Sequence, residues 1–274
     1  MINIKKNKKT GELQKANGLR TTAKSIYNPN QKDEFQISRG RFDNFLSCPR
    51  CFYLDRVKGL ADPGIPGWAL NTLTDNLLKI EFDQCREKGE PHRILVENNL
   101  SHIIPYQHPE MDAWRNSLRE GLKIKFKDTN IILQGGVDDI WIDTNTDELI
   151  VVDYKSQSKR GDTWPSDYLD DIYHQGYKRQ LDFYNYLLQK LGYKTSPTSY
   201  FLVVNGEYDE TGFHGNMKFS EHLITYEHDT SWIDSKVEEM IECMNSESIP
   251  EINESCENCA YAHERGKLEG SVKT

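Results

Sequence analysis

No apolar run in the sequence approaches the roughly 18–20 residues of a membrane span, so no segment is expected to cross a bilayer. Excess positive charge is also missing. The chain has 34 Lys and Arg against 43 Asp and Glu, a net −9, so overall charge does not announce a phosphate-rich partner. There is no G-x-x-x-x-G-K-[ST] loop, so any unwinding of a duplex would be the work of a partner such as a helicase. The lead MINIKKNKKT has basic residues but no apolar core behind them. No secretory leader is therefore expected, and a cytoplasmic location is.

The 274 residues suffice for one good-sized α/β domain, and 36% hydrophobic with 28% charged residues indicates a globular chain. Charge is uneven along it. Residues 1–34 hold eight Lys and Arg against three acids, leaving −14 for the rest. This lead reads as a basic, disordered tail or as a phosphate-binding arm. A folded domain is expected over 35–265 and a disordered C-terminus over 266–274.

The central stretch is Gln134–Lys155, QGGVDDIWIDTNTDELIVVDYK. Apolar runs Val137–Ile142 and Leu149–Val152 flank a turn-rich Asp143–Asp147, the pattern of a β-hairpin. Side chains alternate along a strand, so Asp153 and Lys155 share a face and Tyr154 takes the other. Pairing of the strands can bring Asp138 beside Asp153. Two adjacent carboxylates repel, and their burial is costly unless a cation neutralises them. Hard oxygen ligands suit Mg²⁺ or Mn²⁺, with Lys155 beside the ion. On spacing alone, the same residues also fit an ordinary hairpin with solvated acids.

Other elements read in order. Ser38–Ser47 reads as a short helix with Phe42, Phe45 and Leu46 on one face, running into Cys48-Pro-Arg-Cys51-Phe. A Pro/Gly-rich connection, 61–67, leads to a long helix over Trp68–Lys88 with Leu70, Leu73, Leu77, Leu78 and Ile80 as its apolar stripe. A short helix over Pro109–Leu122 and a strand over Lys123–Lys127 precede the hairpin. The polar segment 156–167 reads as an exposed loop bordering a groove. A helix over Tyr168–Leu191 places Gln180 and Tyr184 on one side. Strands Ser199–Val204 and Leu223–Glu227 and a helix Ser231–Asn245 complete the pattern.

Six cysteines occur, four of them in CPRC (Cys48, Cys51) and CENC (Cys256, Cys259). In a cytoplasmic protein such pairs point to metal rather than disulfides. Four thiolates suit Zn²⁺ or an iron–sulfur cluster. Cys85 and Cys243 stand alone and read as packing residues.

Together G-x-V-D at Gly135–Asp138, D-Y-K at Asp153–Lys155, the F-x-x-C-P segment at Phe45–Pro49 and Q-x-x-x-Y at Gln180–Tyr184 resemble the PD-(D/E)XK nuclease superfamily, in particular its RecB-like branch. The resemblance implies a mixed central β-sheet flanked by helices, the restriction-endonuclease-like core. It implies that Asp138 and Asp153 hold the divalent ion, that Lys155 supports catalysis, and that Gln180 and Tyr184 line the site. It implies hydrolysis of DNA phosphodiester bonds, single-stranded or in end-containing duplex, in repair, recombination or defence. RecB-like nucleases usually carry a His in G-x-x-x-H at the long helix; here the segment is Gly67-Trp-Ala-Leu-Asn71. Asp75, one turn on, is then a candidate ligand, and a catalytically silent domain that binds nucleic acid or a partner protein is the alternative. Several RecB-like enzymes hold a [4Fe–4S] cluster with one early and three late cysteines. This chain has Arg265 at the last late position and an additional early Cys51. The likeness implies [4Fe–4S], and the two-knuckle spacing implies Zn²⁺; His263 reads as a surface residue, with a stand-in ligand as the alternative.

Overall fold

A computed structural model describes residues 3–64, 67–160, 167–208 and 211–271. Ile65 and Pro66 of the expected connection and 161–166 of the expected groove-side loop lie outside the described residues. In chain order the elements begin with β1 (Phe35–Ser38), α1 (Arg39–Ser47), α2 (Pro49–Arg56) and α3 (Ala69–Lys88). They continue with α4 (Arg93–Glu97), β2 (Ile103–Pro105), α5 (Met111–Arg115), β3 (Leu122–Lys125) and β4 (Ile131–Gly135). Next come β5 (Asp139–Asp143), β6 (Glu148–Gln157), α6 (Gln175–Lys190), β7 (Thr198–Gly206) and β8 (Phe219–Glu227). The last two are α7 (Ile233–Asn245) and α8 (Glu257–Leu268).

The chain forms two compact units. The first draws on the chain up to Gly67, on Phe126–Ile132 and on the chain from Asp234. It buries the aromatic faces of α1 and α2, where the Phe45 and Phe52 rings meet edge-on at 5.5 Å. Part of the lead belongs to this unit: Arg20 pairs with the buried Asp55, and Tyr27, 2% exposed, donates to Asn245 Oδ1 at 3.0 Å.

The second unit, Trp68–Lys125 with Leu133–Ile233, is built on a five-stranded sheet of order β2-β5-β6-β7-β8. β2, β5 and β6 run antiparallel, β6 and β7 parallel, and β7 and β8 antiparallel, giving a mixed sheet. The parallel pair needs a crossover, and α6 supplies it. Alternation along β6 divides the core. Ile150, Val152 and Tyr154 join Leu78 and Phe82 of α3 in one apolar cluster. Asp153 and Lys155 face α6 on the other side, where Gln180 meets them. This is the expected α/β layering, a mixed sheet with helices on both faces. Among the described residues, no helix is long and apolar enough to cross a membrane.

Several elements differ from expectation. The strand Ile131–Gly135 was not anticipated, because Ile-Ile-Leu beside two glycines is a short signal. The helix expected over Pro109–Leu122 is confined to Met111–Arg115, and Leu122 already belongs to β3. The helix expected from Tyr168 opens with two 3₁₀ turns and becomes α-helical at Gln175. On α3 four of the five expected stripe residues face outward: Leu70, Leu73, Leu77 and Ile80 are 60%, 52%, 50% and 54% exposed. Leu78 is buried as expected, and the residues buried with it are Phe82 and Arg86. Four aliphatics lose to one aromatic and one ion pair. Phe82 stacks on Trp141 and His92 at 5.1 and 4.1 Å, and Arg86 engages the buried Asp139. Turning the helix this way also carries Asp75 and Lys79 toward the acids of the hairpin.

Candidate active site

Two glycines set the approach to Asp138. A Cβ on Gly135 would stand 2.7 Å from Cε1 of Tyr184, and one on Gly136 would stand 2.5 Å from Cβ and 2.6 Å from Cα of Ser117. Neither neighbour can withdraw cheaply, so the close packing of this junction requires glycine. Beyond it the Val137 N–H donates to Trp114 O at 3.1 Å. Asp138 then turns its carboxylate to β6, where the Tyr154 N–H donates to Oδ2 at 2.9 Å. Asp138 keeps a quarter of its side chain exposed, whereas Asp153 is wholly buried.

The expected residues converge. Asp153 pairs with Lys155 and accepts from Gln180 Nε2 at 2.5 Å. Gln180 Nε2 also donates to the Tyr184 hydroxyl at 3.1 Å, and its Oε1 accepts from Lys155 Nζ at 3.4 Å. Lys155 Nζ lies 4.4 Å from the centre of the Tyr177 ring, a cation–π contact that holds the ammonium from a third side. Gln180 thus fixes the orientation of both Asp153 and Lys155.

From α3, Lys79 reaches into the same cluster. Its Nζ lies 2.9 Å from Asp75 Oδ2 and 3.9 Å from Asp138 Oδ1. Sequence reasoning passed over Lys79, although its i,i+4 spacing from Asp75 was visible. Asn71, at the position where RecB-like nucleases carry His, donates its amide to Ser156 O at 3.1 Å, and neighbouring Thr74 bonds the Ser156 hydroxyl. That end of α3 is tied to the end of β6.

Asp139 was also missed. It is fully buried, engages Arg86 and Arg115, and accepts from the Tyr154 hydroxyl at 2.9 Å. Tyr154 takes the other face of β6, as alternation requires. Its N–H holds Asp138 while its hydroxyl, on the opposite face of the sheet, holds Asp139.

A family description, the PD-(D/E)XK nuclease superfamily, matches residues 68–263. The chain belongs to that superfamily. The matched span contains every carboxylate and lysine of the cluster just described, but not Cys48 or Cys51. Neither the curated proteins nor the solved structures include a significant match.

Members of the PD-(D/E)XK superfamily are mostly metal-dependent nucleases, and the donor chemistry here fits a hard divalent cation. Burial, and then the charge of Asp153, push Asp138 up to about 7. Burial, and then the charge of Asp138, raise Asp75 as well. Asp153 Oδ2 is buried, with the Lys155 ammonium against it. Like charges forced together are what a divalent ion relieves. The three acids do not close a ligand set by themselves. Among the described residues, the one group of three or more Cys, His, Asp or Glu with all ligand atoms within 4.8 Å of one another is that of the four cysteines. In the acid cluster, the Lys79 and Lys155 ammonium groups supply the positive charge.

The Asp138 shift has a consequence for stability without divalent ions. Folding raises its pKa, so its contribution is most favourable below the ordinary carboxylate value of about 4. That contribution declines as pH rises toward about 7. Thermal midpoints measured in EDTA should fall over this window, and fall less in Asp138→Asn, which has no proton to lose. Equal slopes for the two proteins would contradict the assignment.

The four motif cysteines also converge, all as free thiols. The Sγ separations are 3.7 Å for Cys48–Cys259, 3.6 Å for Cys51–Cys256 and 3.5 Å for Cys51–Cys259. His263 and Arg265 stand outside this group: His263 lies 3.7 Å from Glu264, and Arg265 pairs with Glu269 at 2.9 Å.

Proposed function

We propose that the protein is a Mg²⁺- or Mn²⁺-dependent nuclease of the RecB-like branch that hydrolyses DNA phosphodiester bonds. The observation that carries this reading is the convergence of Asp138, Asp153 and Lys155 under the hydrogen bonds of Gln180. Asp138 and Asp153 would hold the ion, with Asp75 as a third carboxylate. When bound, the ion supplies charge neutralisation at the phosphate and acidifies a water ligand.

The chain's own residues do the rest. Lys155 stands where it can hold the attacking water by hydrogen bond and offset charge gathering on phosphate oxygens. Gln180 keeps the lysine and Asp153 in register through one amide, and Tyr184 anchors that amide. Lys79 lies between Asp75 and Asp138; with an ion on those acids its ammonium would be available to the phosphate. A role in DNA repair, recombination or defence in the cytoplasm, beside a helicase, belongs to the same reading.

The test is incubation of pure protein with single-stranded DNA and with linear duplex, in Mg²⁺, in Mn²⁺ and in EDTA. Cleavage products are expected with either ion and from neither substrate in EDTA. Asp138→Asn should give none while keeping a cooperative melt. Undiminished cleavage by Asp138→Asn would overturn the site assignment. Measurable DNA binding with no products under any condition would favour the silent reading, to which Asn71 points.

A further inference from the structure

The resemblance to RecB-like enzymes implies a [4Fe–4S] cluster on the cysteines, and their geometry does not fit one. We propose that Cys48, Cys51, Cys256 and Cys259 bind a single zinc ion. The argument begins with the sulfur separations. Four thiolates about 2.3 Å from one tetrahedral zinc stand about 3.8 Å apart along each edge. The closest pairs here lie at 3.5, 3.6 and 3.7 Å, and all four sulfurs fall within 4.8 Å of one another. A cubane instead puts irons about 2.7 Å apart, with each thiolate a further 2.3 Å outward, so cysteine sulfurs stand more than about 6 Å apart. The present cage is too small for eight atoms and right for one.

The local backbone makes the same distinction. Each pair opens a helix: Cys48 and Cys256 are the N-cap residues of α2 and α8, and Cys51 and Cys259 follow one turn later. The Cys51 N–H points to Cys48 Sγ at 3.5 Å. Amides at a helix start favour the excess negative charge that four thiolates leave around a divalent ion. Expanding the cage to cubane size would have to pull these elements apart, and three hydrogen bonds resist that. Tyr53 donates to Ser246 O, Arg50 to Pro250 O and Asn253 to Ser47 O, each at 2.9 Å. Two of the three join α2 to the segment between α7 and α8, and the third joins that segment to the end of α1. Nor are the sulfurs bonded in pairs, since 3.5 Å is far beyond a disulfide's 2.0–2.1 Å.

Zinc here has a structural part: no coordination position is left open for substrate or water, so the ion acts as a clamp. The inference stands apart from the nuclease reading, and its test reads metal rather than cleavage. Full-length protein is purified under anaerobic conditions from cells supplied with iron and sulfide, and its metals are counted. One zinc per chain, iron below a tenth of that, and no absorbance band near about 400 nm are expected. Exchange with Co²⁺ should give the intense visible spectrum of a tetrahedral tetrathiolate, which depends on the donor set and not on any variant folding. Cys256→Ser, where it folds, should lower zinc content severalfold and reduce the chelator concentration at which the rest is lost. About four irons and four sulfides per chain with the 400 nm band would overturn the proposal. So would metal-free protein with its four thiols oxidised, or an octahedral cobalt spectrum.

Discussion

Lys155→Ala is expected to slow metal-dependent cleavage by about 10²–10⁴-fold, the range of a lost proton-transfer or charge-stabilising group. The side chain is not replaceable by a surface lysine nearby, because three neighbours hold it. Asp153 pairs with it, Gln180 accepts from it and the Tyr177 ring lies under it. Removal has a second effect that must be separated from the first. Asp153 is wholly buried, and without the ammonium it becomes an uncompensated charge. The metal-free variant should therefore be less stable than the parent, and saturating Mn²⁺ should recover much of the difference. Single-turnover rates at saturating Mn²⁺ isolate the chemical deficit. A rate within twofold of the parent would remove Lys155 from the mechanism.

Asp139→Ala should be the most destabilising single change in the second unit, costing about 3–5 kcal/mol, as expected when one partner of a buried ion pair is deleted. Asp139 is fully buried. It answers two guanidinium groups, Arg86 and Arg115, each 8% exposed, and a tyrosine hydroxyl. After truncation the arginines keep the half-exposed Asp83 as their one acid, and Arg86 also keeps the Tyr106 carbonyl. Burial resists protonation of Arg115, yet Asp139 and then Asp83 hold its pKa above the usual value. Urea unfolding at neutral pH measures the loss. A change below about 1 kcal/mol would mean that water or Asp83 substitutes for Asp139.

The adjacent acids Asp138 and Asp139 mark the limit of reading the site from sequence. Alternation along a strand says that neighbours face opposite ways, but not which of the two faces a catalytic centre. The D-Y-K triplet was legible because period two puts Asp153 and Lys155 on one face whatever the rest of the chain does. Gln180 and Tyr184 were legible because four residues is one helical turn. Lys79 was not, since its helix advertised Leu70, Leu73, Leu77 and Ile80 as the inward face, and tertiary packing chose Phe82 and Arg86. The hidden strand β4 failed for a different reason. Three aliphatics beside a glycine pair carry too little pattern to separate a strand from a turn. Cysteine spacing foretold that the four thiols would gather, but only the distance between sulfurs bears on how many metal atoms could fit among them.

The first unit takes its material from both ends of the polypeptide, and this has a bearing on biosynthesis. The sulfur partners lie 205 to 211 residues apart in sequence. At roughly 5–20 residues per second, the early CPRC pair waits roughly 10–40 s for CENC to leave the ribosome. Throughout that interval Cys48 and Cys51 are two thiols without their mates, open to oxidation or to capture by a foreign metal. The contiguous stretch from Trp68 to Lys125 and most of the sheet are translated meanwhile. The four-sulfur group can therefore form only after the sheet has been made, and keeping the early thiols reduced through that interval bears on how much chain folds correctly.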